Sequence, residues 1–308
     1  MIPVRKYSVE FEEQYLAVVN KNIHSKTQER IIRSCKKFLP DDFFSGNTDE
    51  LFKELVLAPF DKLKSAEKYI EEKKMNIMKI ESFCKKRGKK IPMTKLYRVL
   101  HDTYKVVADS EKNKMSVRVR IVKNTGLTVC PYCNRDYINC RADNVSGAQL
   151  DHFFSKSKMP IFSVCLYNLV PVCSNCNRIK SKQEGNFASP FDESIDWKED
   201  IKFSFVGNSL ADIQINIDTN EQLKTNIEKM RIHETYQIHK LEVLELIEQQ
   251  EIYNDSQKDE FKDVLAKTKI TDLEIKKIIF GPELTEDRIK GKPLGKMIRD
   301  LHKQMNIY

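Results

Sequence analysis

The chain has 308 residues, of which 40% are hydrophobic and 32% are charged, and its formal net charge is +8. This length permits one large domain or two or three smaller ones, and the positive charge suits a polyanionic partner without requiring one. The sequence has no run of about eighteen apolar residues to span a bilayer and no secretory signal at its N-terminus, so we expect a cytoplasmic protein without membrane contact.

Residues 1–115 form the first predicted region, and their pattern is mainly helical. Asp61 is expected to cap a helix whose apolar positions recur every three or four residues. The apolar face of that helix contains Leu63, Ala66, Ile70, Ile77, Ile80 and Cys84. A basic run at 85–90 follows, which fits a phosphate-contacting patch and a solvated helix end equally well. A second helix is predicted from Thr94 to Val107.

The segment from Met115 to Val122 fits two interpretations. Strict alternation places Val117, Val119 and Ile121 on one face, which favours a strand. The position of the segment before a Thr-Gly turn is equally typical of the end of a helix. The sequence therefore leaves this element unassigned.

The chain has eight cysteines, and in a protein that is not exported they are expected to be reduced. Four of them form two Cys-x-x-Cys pairs, Cys130 with Cys133 and Cys173 with Cys176. The short gap in each pair lets both sulfurs point at one metal ion, so the four predict a single structural zinc site. The 39 residues between the pairs exceed the roughly fifteen to twenty of a simple zinc ribbon. A folded segment is therefore expected between them.

The other four cysteines are expected to pack in the core, as free cysteines usually do. They are Cys35, Cys84, Cys140 and Cys165. Because Cys140 and Cys165 lie close in sequence to the two pairs, the sequence leaves open that one of them replaces a zinc ligand.

Residues 201–308 are predicted to form a hairpin followed by helices. The alternating runs 201–205 and 213–217 flank a Gly-Asn-Ser turn, which is typical of a β-hairpin. From Asn220 to Tyr253, apolar residues recur at helical spacing. Charge-rich helical segments continue beyond this point and are interrupted by Gly-Pro and Gly-Lys-Pro breaks.

Polar residues that suit phosphodiester hydrolysis are grouped between and just after the cysteine pairs. Asp151 and His152 are adjacent, Asn168 lies further along, and Asn177 follows Cys176 directly. Hydrolysis needs a base that activates water and a cation that relieves negative charge on the phosphate and the leaving oxygen. A histidine with an ordinary pKa of about 6.5 suits the first task, and carboxylate and amide oxygens suit a hard cation for the second.

The pattern of Asp-His, a loop asparagine and Cys-x-x-Cys-Asn-x-x-Lys resembles the HNH, or His-Me finger, nuclease superfamily in its zinc-stapled form. The resemblance covers residues 130–182, about a sixth of the chain. Asn177 stands where the third letter of the family name has a histidine, a variant that keeps an oxygen ligand. The resemblance implies a two-stranded ribbon packed on one helix, the ββα-metal finger.

The resemblance also implies a role for each polar residue. His152 would take a proton from water, while Asp151 and Asn177 would hold a catalytic Mg²⁺ or Mn²⁺ ion. Asn168 would hold the His152 imidazole and its loop by hydrogen bonding, although it also fits a plain turn residue. Three cations would contact phosphates next to the cut, or would simply solvate a helix face. These are Arg178, Lys180 and Lys182.

The predicted fold class is α+β, mostly α-helical. A ββα-metal finger with a four-cysteine zinc site, residues 116–200, is expected between the helical region 1–115 and the hairpin and helices of 201–308. The expected function is a metal-dependent HNH endonuclease with structural zinc and catalytic Mg²⁺ or Mn²⁺, and DNA is favoured over RNA as its substrate by the habit of the family. The alternative is a zinc-stapled nucleic-acid-binding subunit without cleavage activity.

The run Cys-Pro-Tyr-Cys-Asn-Arg at 130–135, with a helical region after the finger, is similar to HNH proteins that accompany an ATPase in Septu-like anti-phage systems. This narrower resemblance implies a bacterial effector that works with an ATPase partner. The chain has no Gly-x-x-x-x-Gly-Lys-Ser/Thr loop, so ATP would be bound by that partner. A further alternative, compatible with nuclease activity, is a subunit whose helical flanks dock on another protein.

Overall fold

The computed structural model describes residues 1–75, 95–109, 111–112, 115–181, 183, 185–254, 256–257, 260 and 270–308. The protein is α+β, as predicted: about half of it is helical, and its strands form small two-stranded sheets. The N-terminal region contains five described helices. They are α1 (Val9–Asn22), α2 (Ser25–Cys35), α3 (Leu51–Val56), α4 (Phe60–Glu72) and α5 (Lys95–Asp109).

Helix α4 begins two residues earlier than an Asp61 cap predicts. Pro59, in extended conformation, precedes its first turn, and Asp61 lies inside that turn without a side-chain capping bond. The expected Asp61 cap is therefore wrong, because a proline fixes the backbone angle that starts the helix. Leu63, Ala66 and Ile70 are buried as predicted. The rest of the predicted apolar face (Ile77, Ile80 and Cys84) and the basic run 85–90 lie outside the described residues.

The segment that the sequence left unassigned is mostly a helix. A short strand β1 (Glu111–Lys112) pairs with β2 (Met115–Ser116), and α6 (Val117–Asn124) follows at once. The Ser116 hydroxyl caps α6 by accepting a hydrogen bond from the Val119 amide at 3.3 Å. Most residues of α6 are buried, and they lie on more than one face of the helix. The helix therefore lacks the contrast between an apolar and a polar face by which its sequence pattern could identify it.

A ribbon and a helix lie at the centre of the chain. Strand β3 (Gln149–His152) pairs antiparallel with β4 (Leu169–Val172), so that Asp151 lies opposite Val170. Helix α7 (Ser174–Lys180) starts two residues after β4 and contacts β3. The cysteine pairs therefore flank a folded unit, as the long gap between them predicts.

The predicted hairpin and the helices after it are confirmed. Strands β5 (Ile201–Val206) and β6 (Gln214–Thr219) are antiparallel, with Ile201 opposite Thr219. The described helices that follow are α8 (Glu221–Lys229), α9 (Ile232–Tyr236), α10 (Lys240–Ile252), α11 (Asp272–Phe280), α12 (Glu286–Ile289) and α13 (Gly295–Gln304). Helix α13 runs along β5, and its Asp300 Oδ2 accepts a hydrogen bond from the Phe203 amide at 3.0 Å.

One continuous hydrophobic core contains residues from all three predicted regions. It includes Tyr15 from α1, Tyr132 from the first Cys-x-x-Cys pair, and Tyr236 from α9, none of which has any exposed surface. The central ribbon is thus packed between the N-terminal helices and the C-terminal elements. Within the described residues, no helix has both the length and the apolar composition needed to cross a bilayer.

Candidate metal centre and adjoining cleft

The four cysteines that the sequence pairs come together in one buried cluster. The sulfur atoms of Cys130, Cys133, Cys173 and Cys176 all lie within 4.8 Å of one another. With Zn–S bonds of about 2.3 Å, a tetrahedral site separates its sulfurs by about 3.8 Å, so the cluster has the right size to hold such an ion. The predicted grouping of these four cysteines is confirmed, and together they could hold a metal ion such as zinc.

Neither of the other candidate thiols belongs to the cluster. Cys165 is buried elsewhere, and its Sγ donates a hydrogen bond to the carbonyl oxygen of Leu55 at 3.0 Å. Cys140 is partly exposed at the edge of the core. The alternative in which Cys140 or Cys165 replaces a ligand is therefore excluded by the positions of these residues.

The cluster favours a cation on electrostatic grounds. Hydrogen bonds from the neighbouring thiols hold the pKa of Cys133 well below its usual range. Hydrogen bonding within the same group raises the pKa of Cys173 and Cys176 far above theirs. A divalent ion that binds all four residues as thiolates would displace the protons that Cys173 and Cys176 retain.

Local backbone structure explains how each pair is presented. In the first pair, the Asn134 amide donates to the Cys130 carbonyl at 2.8 Å, and Asn134 adopts a left-handed φ of 51° that asparagine tolerates better than most residues. In the second pair, Cys173 is the N-cap of α7, and its sulfur accepts a hydrogen bond from the Cys176 amide at 3.4 Å. Each pair therefore occupies a tight turn.

A cleft of about 730 Å³ adjoins the ribbon and helix α7. Asp151, His152 and Asn177, which the sequence groups by motif, all line it. Its lining also includes Glu67 from α4 and Tyr104 from α5. The residues expected to act together are therefore brought to one open space by elements distant in sequence.

His152 is held in one orientation at the end of β3. Its Nε2 lies 3.1 Å from the carbonyl oxygen of Ser163, and its ring contacts Tyr104 edge to face with centroids 4.2 Å apart. Because a carbonyl oxygen only accepts, Nε2 carries the hydrogen and Nδ1 keeps a free lone pair. Burial lowers the pKa of His152 to about 4, so the ring is neutral at pH 7.

The expected bond from Asn168 to the His152 imidazole is wrong. Asn168 is fully buried, and its Oδ1 accepts from the Phe154 amide at 2.7 Å while its Nδ2 donates to the Phe154 and Phe162 carbonyls at 3.2 and 3.0 Å. The imidazole is bonded by Ser163 instead. Asn168 does keep the loop in register, because it ties the chain just after His152 to the turn just before Ser163.

Lys180 does not have the phosphate-contacting position that was expected of it. Its side chain is 7% exposed, and its Nζ lies 2.9 Å from Asp151 Oδ2 and donates to the Phe153 carbonyl at 3.1 Å. The ammonium also lies over the Phe153 ring, 4.9 Å from the centroid. Lys180 points inward because α7 packs against β3, so a buried carboxylate faces it across a short distance.

The other residues of the helix have different outcomes. Asn177 is in the middle of α7, and its Nδ2 donates to Gln149 Oε1 at 2.7 Å, which leaves its side-chain oxygen Oδ1 without a hydrogen-bond partner among the described residues. Arg178 is exposed, and its contact with phosphate stays a prediction. Lys182 lies outside the described residues.

Sequence reasoning missed three residues of this site. The Tyr132 hydroxyl donates to Asp151 Oδ2 at 2.8 Å, Ser163 binds the imidazole, and Tyr104 packs on it. Tyr132 sits between two predicted ligands, which is a usable signal, whereas Ser163 acts through its backbone and carries no signal in its side chain. Burial and the nearby Glu71 also raise the pKa of Glu67, which lines the same cleft, to about 7.

Comparisons of the chain with protein-family models, with curated proteins and with solved structures found no match.

Proposed function

We propose that this protein is a metal-dependent HNH-type endonuclease that hydrolyses phosphodiester bonds of DNA. The observation that carries the proposal is a neutral histidine with a free Nδ1, oriented by a backbone carbonyl, in the cleft that Asp151 and Asn177 also line. A carboxylate, an amide oxygen and an imidazole are the groups that water activation beside a hard cation needs.

His152 has the properties of a general base before any substrate arrives. Its depressed pKa keeps it unprotonated at neutral pH, so Nδ1 can accept a proton from a water molecule at once. The Ser163 carbonyl, 3.1 Å from Nε2, stabilises the ring as it gains charge. Tyr104 limits rotation of the ring by packing against it.

The oxygens in the cleft fit a Mg²⁺ or Mn²⁺ ion. Asp151 Oδ1 and Asn177 Oδ1 have no hydrogen-bond partner within the described residues, and both residues line the cleft. When bound there, the ion would neutralise negative charge that develops on the phosphate and on the leaving oxygen. Lys180 balances part of the negative charge of Asp151, and the Asp151 carboxylate would then interact with both Lys180 and the ion.

In this proposal, zinc in the cysteine cluster has a structural duty only. Four sulfurs complete its tetrahedral coordination and leave no open position for water or substrate. The positive net charge and the exposed Arg178 support contact with a polyanion. Within the same proposal, the protein is a bacterial anti-phage effector that works with a separate ATPase, for which the support is the Cys-Pro-Tyr-Cys-Asn-Arg run at 130–135.

The direct test is cleavage of supercoiled plasmid DNA by purified protein with added Mg²⁺ or Mn²⁺. His152→Ala should lower the rate by about 10²–10⁴-fold, since it removes the base, and should leave zinc content unchanged. The matched control is His24→Ala, because His24 is an exposed histidine in a different part of the fold. Equal cleavage by the parent and by His152→Ala contradicts the proposal.

One observation favours a second candidate, a zinc-stapled nucleic-acid-binding subunit without cleavage activity. The Asp151 carboxylate is already paired with the buried Lys180 ammonium and accepts a hydrogen bond from the buried Tyr132 hydroxyl, so its charge is compensated without a metal ion. This candidate predicts that the parent retards DNA in a gel without cutting it, and that His152→Ala binds equally well. Cleavage that depends on His152 excludes it.

A further inference from the structure

Tyr132 connects the cysteine cluster to the cleft. It lies between Cys130 and Cys133, is fully buried, and its hydroxyl donates to Asp151 Oδ2 at 2.8 Å. Lys180 contacts the same oxygen from the other direction at 2.9 Å. One oxygen of the carboxylate therefore has two protein partners, while Oδ1 has none among the described residues.

We propose that Tyr132 is a positioning residue that, with Lys180, fixes Asp151 as a one-oxygen ligand for the cation in the cleft. The inference rests on the cation of the proposed function. A carboxylate with both oxygens free rotates and can bind an ion through either one or both of them. A hydrogen bond from Tyr132 and an ion pair with Lys180, both on Oδ2, restrict the carboxylate to binding through Oδ1, and outer contacts of this kind to metal ligands commonly govern metal affinity.

The backbone on both sides of Tyr132 is held by hydrogen bonds, which limits the movement of its hydroxyl. The Tyr236 hydroxyl donates to the Cys133 carbonyl at 2.7 Å, and the Ile2 amide donates to the Pro131 carbonyl at 2.9 Å. A metal ion bound by the cysteines on either side of Tyr132 would restrain the same turn further. Through the Tyr132 side chain, the cluster therefore contributes, with Lys180, to the position of the Asp151 carboxylate.

The test is Mn²⁺ affinity, measured by electron paramagnetic resonance without nucleic acid, for Tyr132→Phe and its parent. Loss of the hydroxyl should weaken Mn²⁺ binding by about 10- to 100-fold, with zinc content unchanged at about one per chain. Tyr137→Phe is the matched control, because Tyr137 is in the same segment but 60% exposed. It should bind Mn²⁺ as the parent does.

The outcomes separate this inference from the proposed function. If Asp151→Asn weakens Mn²⁺ binding but Tyr132→Phe does not, the positioning role is overturned and the cation site stands. If Asp151→Asn has the affinity of the parent, the cation assignment itself fails, and the inference fails with it.

A second measurement covers the case in which Tyr132→Phe loses zinc or fails to fold. In otherwise native protein, 3-fluorotyrosine is placed at position 132 alone, which keeps the hydroxyl. Saturating Mg²⁺ should shift its fluorine resonance, while the same label at position 137 should not respond. An unshifted signal at position 132, with Mg²⁺ bound, overturns the proposal.

Discussion

The imidazole of His152 has lost most of its contact with water, and burial lowers its pKa to about 4 from an ordinary 6.5. If His152 is the general base of the proposed nuclease, it must be unprotonated, so cleavage should persist as the pH falls through 6.5. We expect the acid limb of the kcat/KM profile with Mn²⁺ near pH 4 to 5. A profile that falls with a midpoint near 6.5 contradicts this prediction.

The same shift affects stability, and the profile needs a control for it. Because the folded state disfavours the proton, the unfolded chain takes it up first, and the contribution of neutral His152 to stability is lost as the pH falls from 6.5 to 4. Circular dichroism at each pH separates unfolding from protonation of the base. Activity that falls while the spectrum is unchanged reports the titration itself.

At this scale the sequence predicts the residues whose chemistry depends on local spacing. The four cysteines were identified because paired two-residue gaps are a strong metal signal. The predicted phosphate contact of Lys180 is wrong, because its i, i+3 spacing from Asn177 on a helix does not show whether the side chain points to solvent or to a carboxylate on β3. Ser163 could not be found, since its backbone carbonyl is the group that acts.

Among the structural elements, the turn that carries Cys130 and Cys133 depends on a single asparagine, Asn134. Asn134 is fully buried and left-handed, its Oδ1 accepts from the Lys296 amide at 2.9 Å, and its Nδ2 donates to the Ile289 carbonyl at 3.2 Å. Asn134→Ala leaves two buried backbone groups unpaired and places a less suitable residue at a left-handed position. We expect it to lower the free energy of unfolding by about 2–4 kcal/mol.

Urea denaturation of zinc-saturated protein measures this effect. Asn175→Ala is the matched control, since Asn175 is exposed and makes one long hydrogen bond, at 3.3 Å, to Asp136. Its cost should be within about 0.5 kcal/mol of zero. If the two variants have the same midpoint, the turn does not depend on Asn134.

The sequence predicts elements that have a clear hydrophobic periodicity or a clear turn motif, but it does not identify a helix whose faces are mostly buried. The hairpin β5–β6 was predicted because alternation and a Gly-Asn-Ser turn agree. Helix α6 was left open because it is buried on most sides, which removes the contrast between faces that periodicity needs. The Asp61 cap failed because Pro59, two residues earlier, already starts the helix.

At the scale of the whole molecule, an N-terminal and a C-terminal segment both form hydrogen bonds with the segment that carries the first cysteine pair. The Thr128 amide donates to the Lys290 carbonyl at 3.0 Å, and the Ile2 amide donates to the Pro131 carbonyl at 2.9 Å. The predicted fold class, α+β, is confirmed, whereas the HNH assignment and the bounds of the three predicted regions stay predictions. Neighbours separated by more than a hundred residues have no trace in spacing or periodicity, so the sequence shows three consecutive regions and not their common core.

Both proposals require that the cluster be a closed zinc site, so that catalysis falls to His152 and to the oxygens of the cleft. X-ray absorption at the zinc edge of purified protein tests this most directly. We predict about one zinc per chain with four sulfurs at about 2.3 Å, unchanged when DNA and Mg²⁺ are added. A site in which an oxygen replaces any of the four sulfurs contradicts the account, because zinc would then have a position open to water or substrate.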